Sequence, residues 1–287
     1  MPTQFPRTVV GGVSLSRMVI GSNWLLGYSH TGPAADKAIV EHHRDPRVTA
    51  DLLKTYLSFG VDTCMAPFSR DYAFSPIMDA VHMAEDETGK GLILVDTPII
   101  NVDDNDTARR ETEAVIAKGA ELGATFSLLH HSSIEQLVNK NKGTMDRLPD
   151  YLKMVRDHGM HPGLSAHMPE VVHYADRNDY DVETYIQIYN CMGFLMQIEV
   201  EYVNKTIWAA RRPVMTIKPM AAGRCSPFVG LNFSWATIRP CDMVTVGATD
   251  AREAAEDIEI SLAALEGRQA SLEGRNSPNK NTSVLNQ

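Results

Sequence analysis

The chain is poor in the features that announce a special compartment or a polyanionic partner. It has four cysteines, Cys64, Cys191, Cys225 and Cys241, widely spaced and without a Cys-x-x-Cys pair. That argues against a disulfide scaffold and for reduced thiols in a cytoplasmic protein. No apolar run approaches the ~20 residues that cross a bilayer. The opening Met1-Pro2-Thr3-Gln4-Phe5-Pro6-Arg7 lacks the basic-then-apolar order of a secretory signal. Basic charge is also short: 27 Lys and Arg stand against 36 Asp and Glu, a net charge of −9, so nucleic acid is a poor partner. No Gly-x-Gly-x-x-Gly follows the first apolar run, and Gly11-Gly12 and Gly21 are too isolated to cradle a phosphate. What is present is ordinary globular composition, 44% hydrophobic and 22% charged over 287 residues, enough for one large α/β domain or two small ones.

Short β-rich runs alternate with longer helical segments. Residues 18–21 read as a first strand, and 61–65 as a second reached through the amphipathic helix 48–59. Helix 77–87 leads to strand 91–96, helix 107–122 to strand 125–130, and helix 148–158 to strand 162–166. Segment 182–192 precedes a sixth strand at 194–201, while 214–218 and 243–247 supply the seventh and eighth. Helix 252–265 closes the series with Ile258, Leu262 and Leu265 on one face. Eight β/α units predict an α/β protein, a (β/α)8 TIM barrel over residues 1–266, with catalytic groups at the C-terminal ends of its strands. A doubly wound sheet is the competing arrangement. The polar segment 267–287 reads as a flexible tail or an oligomer contact.

In such a barrel the strand ends decide the chemistry. Asp62 lies in Gly60-Val61-Asp62-Thr63, where a helix hands over to a strand, and His130 ends the run Leu128-Leu129-His130-His131. Asp96, Ser165, His167 and Lys218 stand at further strand ends. In Leu195-Met196-Gln197-Ile198-Glu199-Val200-Glu201 a period of two puts Gln197, Glu199 and Glu201 on one face. The outer face of a barrel packs under helices, so this polar set is expected to point inward and to need partners or a ligand. Each residue also has a plainer reading. Asp62 fits a helix N-cap, His130 a satisfied core histidine, Lys218 a solvated side chain and Cys64 a small buried hydrophobe. His30, His42, His43, His158 and His161 carry no metal-ligand spacing.

Taken in order, these fragments resemble the aldo-keto reductase superfamily over residues 7–266. Ser16-Arg17-Met18-Val19-Ile20-Gly21 is similar to the opening strand, and Gly60-Val61-Asp62-Thr63 to the strand bearing the catalytic aspartate. Leu128-Leu129-His130 is similar to the strand of the active-site histidine. Gly163-Leu164-Ser165, Gln197-Ile198-Glu199, Lys218-Pro219-Met220-Ala221-Ala222-Gly223-Arg224 and Val246-Gly247-Ala248 follow in family order. The resemblance implies carbonyl reduction by hydride from NADPH, with Asp, Tyr, Lys and His acting together. The tyrosine is then the general acid, its pKa lowered by a lysine that the aspartate holds. Here the chain departs from the family. The position five residues after Asp62 is Pro67, not tyrosine, and the third strand ends Val95-Asp96-Thr97-Pro98, without lysine. Tyr28 or Tyr72 is the substitute phenol, and without the lysine its pKa stays near ~10. For NADP(H), the resemblance places Ser165 and Gln197 at the nicotinamide and leaves Arg224 and Arg252 for phosphate. The amide-binding asparagine is replaced by Ala166, and the adenine-contacting asparagine by Asp257.

These departures favour a barrel enzyme that has left hydride transfer. Asp62, His130, Glu199 and Lys218 are its expected acid/base groups. Asp62, His130, Glu199 and Asp96 are the oxygen and nitrogen ligands expected for a divalent metal such as Mn, Mg or Zn, which would stabilise an enediolate. Isomerase or lyase chemistry on a small polar carbonyl, sugar or hydroxy acid follows. An NADP(H)-dependent carbonyl oxidoreductase with substitute residues and a non-catalytic small-molecule-binding protein are the alternatives. The expected partner is a small-molecule substrate, without nucleic acid or membrane, and a homo-oligomer is compatible with the sequence.

Overall fold

The computed structural model describes residues 4–70 and 76–272. Eight parallel strands close into a barrel in chain order. They are β1 (Met18–Gly21), β2 (Thr63–Ala66), β3 (Ile93–Asp96) and β4 (Phe126–Leu129), then β5 (His161–Ala166), β6 (Thr184–Ile188), β7 (Val214–Ile217) and β8 (Met243–Val246). β8 closes on β1 through Val244↔Met18 and Val246↔Ile20. Helices α1 (Pro46–Ser58), α2 (Ile77–Thr88), α3 (Asp106–Glu121) and α4 (Leu148–Asp157) precede β2 to β5 in turn. α5 (Pro169–Arg177), α6 (Val200–Ala209), α7 (Pro227–Thr237) and α8 (Ala251–Glu266) complete the alternation.

Local sequence explains these elements. α1 starts where the Asp45 carboxylate accepts the Arg47 N–H and Pro46 takes the first helical position. Its buried face, with Leu52, Leu53, Tyr56 and Leu57, packs toward the barrel. Barrel strands are covered on both sides, so they read as continuous apolar runs rather than as alternation. Val19, Met65, Val95, Phe126, Leu128, Ile186, Met215 and Met243 form one cluster in the lumen. Val10 and Leu15 join that cluster from an N-terminal hairpin, Arg7–Val10 paired with Val13–Ser16, which plugs the end where the strands begin.

The sixth strand differs from the sequence expectation. Thr184-Tyr185-Ile186-Gln187-Ile188 is the strand, buried throughout, paired with β5 through Ile186↔Ser165 and with β7 through Ile186↔Met215. A fully buried parallel strand shows no period of two, so its neighbour with the more regular pattern attracted the assignment. Residues 195–199 are a connecting loop in which Gln197 and Glu199 are exposed, and Val200 begins α6. Among the described residues no helix is long and apolar enough to cross a membrane. The tail expected at 267–287 lies outside the described residues from 273 onward, and so does Tyr72.

Candidate active site

A cavity of about 350 Å³ occupies the mouth of the barrel, where the strands end. Met65, Ile186 and Ile217 give it apolar walls, and Trp24, Tyr28 and His30 from the loop after β1 overhang it. Lys218, Arg70 and the imidazoles of His30, His130, His131 and His167 also line it, whereas no carboxylate among the described residues does. In a chain of net charge −9 this is a local reversal of sign.

Lys218 is the first residue beyond β7 and adopts a left-handed backbone, φ 61°. That conformation strains a residue with a side chain, and Ala221 (φ 50°) and Ala222 (φ 55°) repeat it in the same loop. Such strain persists only where packing imposes it. The packing is visible: a Cβ on Gly230 of α7 would stand 2.5 Å from the Pro219 carbonyl oxygen, so the helix presses on this loop. The Lys218 ammonium donates to His30 Nε2 at 2.8 Å. His30 therefore accepts at Nε2 and carries its proton on Nδ1 when neutral. Burial pulls the Lys218 pKa down to about 8, and burial followed by the Lys218 charge lowers that of His30.

The His130, His131 and His167 rings form a stack on the opposite side. Centroids are 4.2 Å apart for the first pair and 3.9 Å for the second, with His131 and His167 nearly parallel at 17°. His130 caps the short helix His131–Ile134, its Nδ1 accepting from the Ser132 N–H at 3.3 Å. The neutral ring then keeps its proton on Nε2 as a donor. Glu135 braces the stack from behind. Its Oε1 accepts from the N–H groups of His167 at 2.6 Å and Met168 at 2.9 Å, and its Oε2 lies 3.9 Å from His131 Nδ1. Burial, then the charges of its neighbours, lowers both His130 and His167 to about 4, so both are neutral at pH 7.

The residues singled out from sequence separate into two groups. His130, Ser165 and Lys218 meet at the cavity, joined by His30 and His131, which carried no signal beyond the His-His doublet and the Glu four residues later. Asp62 does not belong there. β2 begins at Thr63, so Asp62 lies at the lower end of the strand, three residues or about 10 Å from the mouth, and it pairs with Arg7 of the hairpin. The mouth residue of β2 is Met65, and five residues beyond it stands Arg70, so neither the acid nor the phenol of the family set occupies this register. Asp96 points outward toward α3, where a Cβ on Gly119 would meet its Oδ2 at 2.6 Å. Glu199 is exposed at the start of α6 and Gln197 is exposed in the preceding loop. The four expected metal ligands therefore do not converge, and among the described residues no three His, Cys, Asp or Glu groups are placed to hold an ion.

The residues meant for NADP(H) are also dispersed. Arg224 donates to the His30 carbonyl at 3.0 Å and lies 4.0 Å over the Phe194 ring, tying loops together. Arg252 is exposed in the first turn of α8, and Asp257 is buried in that helix; burial, to which the Asp257 charge adds, raises the Tyr56 phenol pKa. Lys218, Arg70 and Ser165 suit one anionic group, and Tyr28, one of the two substitute phenols, lines the same cavity, whereas Tyr72 lies outside the described residues. The loops also bring Cys191 and Cys225 together, with sulfurs 3.6 Å apart.

Fold and mouth define a (β/α)8 barrel with a ligand cavity at its strand ends. Within that class the fold is similar to that of solved aldo-keto reductases. A Pseudomonas aeruginosa protein assigned to the aldo-keto reductases is similar at a TM-score of 0.62 and 18% identity, over 92% of this chain and 97% of that one. An aldo/keto reductase from Klebsiella pneumoniae, in complex with NADP and acetate, gives 0.56 and 16% over 94% and 92%. One from Brucella melitensis gives 0.54 and 10% over 92% and 99%. No protein-family model and no curated protein matches the chain.

Proposed function

We propose that this protein is an enzyme that binds a small, negatively charged carbonyl or hydroxy compound in the barrel mouth and works on it by proton transfer. The observation that carries the reading is a cavity lined by Lys218, Arg70 and four histidines, with no carboxylate among its described lining residues, in an acidic chain. Low-dielectric walls focus such a field on an anion. Neutral His130, donating from Nε2, suits polarisation of a carbonyl oxygen, and Lys218, lowered to about 8, is the group that exchanges a proton near neutral pH. Isomerisation or elimination next to a carbonyl needs those roles and no hydride. Thermal shift with inorganic phosphate and with small 2-hydroxy acids tests the reading, using Lys218→Met and His167→Gln as comparisons. Stabilisation of the wild type that weakens at least about tenfold in affinity in Lys218→Met supports it. No stabilisation by any of these anions at millimolar concentration rejects it.

A second reading keeps NADP(H)-dependent reduction, favoured by the NADP held in the Klebsiella pneumoniae structure. NADPH at 100 times its Kd stabilises a binding protein by about 2.7 kcal/mol. A shift of that size with NADPH, together with NADPH consumption on aldehydes, would replace the first reading with this one.

A further inference from the structure

We infer that Lys218 is a nucleophile that joins a carbonyl ligand of the cavity as a covalent imine, an inference that rests on the proposed site and specifies its chemistry. Geometry points to the amine. Lys218 is held at the end of β7 in a strained left-handed conformation, on a loop that α7 presses into place at Gly230 and Pro219. Lys218 lines a cavity walled by Met65, Ile186 and Ile217, and no carboxylate among the described lining residues fixes it as an ammonium. Its polar contact is the acceptor nitrogen of His30 at 2.8 Å, a site that can receive a proton from the amine and return it. A lysine kept only for anion binding is better served by a solvated, fully charged ammonium. A lysine desolvated among apolar walls and beside a neutral base is the arrangement that activates an amine.

The charge state agrees. With burial bringing its pKa down to about 8, roughly a fifth of the amine is neutral at pH 7.4, against about one part in a thousand for an ordinary lysine. The chemistry balances without an oxidant. The neutral amine adds to the carbonyl carbon, forming a C–N bond, and a proton moves from nitrogen to oxygen. The resulting carbinolamine loses its C–O bond and leaves as an iminium plus water, and hydrolysis reverses the sequence. An iminium makes the neighbouring C–H acidic, which supplies the electron sink that an isomerase or lyase needs. The proton that the Lys218 ammonium passes to His30 Nε2 before attack is the one that returns to the departing hydroxyl, so that water leaves.

Reductive trapping tests this directly. The full chain is incubated with pyruvate, with acetone as the uncharged control, and sodium cyanoborohydride is added. Intact-mass and peptide analysis then locate the reduced adduct. The expected result is one adduct per chain on Lys218 with pyruvate, formed at least about tenfold faster than on any other lysine and with a pH midpoint near 8. Lys218→Arg, which keeps the charge and removes the nucleophile, should retain phosphate binding by thermal shift and lose the adduct. Adducts spread over exposed lysines, or none at Lys218 while phosphate still stabilises the protein, would overturn the imine and leave the anion-binding site standing. Absence of both the adduct and phosphate binding would overturn the two together. A Lys218 adduct without phosphate stabilisation would uphold the nucleophile and reject the anionic cavity.

Discussion

Arg7 Nη1 lies 2.9 Å from Asp62 Oδ2, linking the hairpin that plugs the lower end of the barrel to the residue that enters β2. The side chains are 38% and 22% exposed, so the pair is worth about 0.2–1 kcal/mol in water. Asp62→Asn should lower stability by that amount in denaturant titration and leave anion binding at the mouth unchanged. Weakened phosphate binding in this variant would return Asp62 to the site.

This pair also shows why the sequence was legible for the fold and misleading for the chemistry. The barrel depends on a repeated alternation of apolar runs and amphipathic helices, a pattern that survives an error of two residues at any boundary. A strand-end residue does not survive it, because each step of about 3.3 Å moves a side chain along the barrel and turns it to the other face. Asp62 and Met65 differ by three such steps, and Asp96 faces α3 because its neighbour Val95 faces the lumen. Glu199 failed for another reason: its regular polar alternation lies in a loop, while the true strand at Thr184–Ile188 is apolar on both faces. His130, Ser165 and Lys218 were found because a polar residue directly follows, or ends, a fully buried run. His30 sits in a long loop, and nothing local to it marks the approach to a lysine 188 residues away.

Asp96 and Gly119 make a second structural pair. Asp96 is fully buried, and burial raises its pKa to about 6 although its Oδ1 accepts the Ser69 N–H at 3.1 Å. A raised value means the native state holds the proton more tightly than the unfolded chain. The contribution is complete below about 3.8 and is lost as pH rises through about 6. Asp96→Asn should therefore stabilise the protein at pH 7–8, by at most about 3 kcal/mol, and have little effect at pH 4. Gly119→Ala should destabilise by about 1–3 kcal/mol through its clash with Asp96, despite the gain of about 1 kcal/mol in helix propensity. Combining it with Asp96→Ala should recover most of that loss in urea unfolding.

Cys191 and Cys225 stand 3.6 Å apart at sulfur, on the loops after β6 and β7. Oxidised glutathione should take two electrons from the pair, yielding one protein disulfide and two glutathione thiols. Free-thiol titration should fall by two per chain, and Cys191→Ser should abolish the change. Closing a loop across 34 positions gives up to about 4 kcal/mol in the chain-entropy model. Burial pushes the Cys225 thiol up to about 11, so the reaction should be slow at pH 7 and accelerate as pH rises. Loss of thiols in Cys191→Ser at the wild-type rate would show that other cysteines react.

The histidine stack makes stability depend on acid. His130 and His167 are lowered to about 4, first by burial and then by the neighbouring ring of His131, and His43 is lowered to about 4 by burial elsewhere in the fold. Depressed values mean the unfolded chain takes up protons before the native state does. Stability is thus full above about 6.5 and is lost as pH falls through about 4. Each such proton tilts stability by about 1.4 kcal/mol per pH unit within that window. Urea unfolding between pH 4 and 7.5 should show this slope, and His167→Gln should reduce it by one proton's share. Phosphate should reduce it further, because an anion in the cavity favours the charged imidazoles of the native state and raises their pKa values. Proton NMR titration of the imidazole rings supplies the independent check: with phosphate the His130 and His167 resonances should titrate at higher pH, while His43, outside the cavity, should not move.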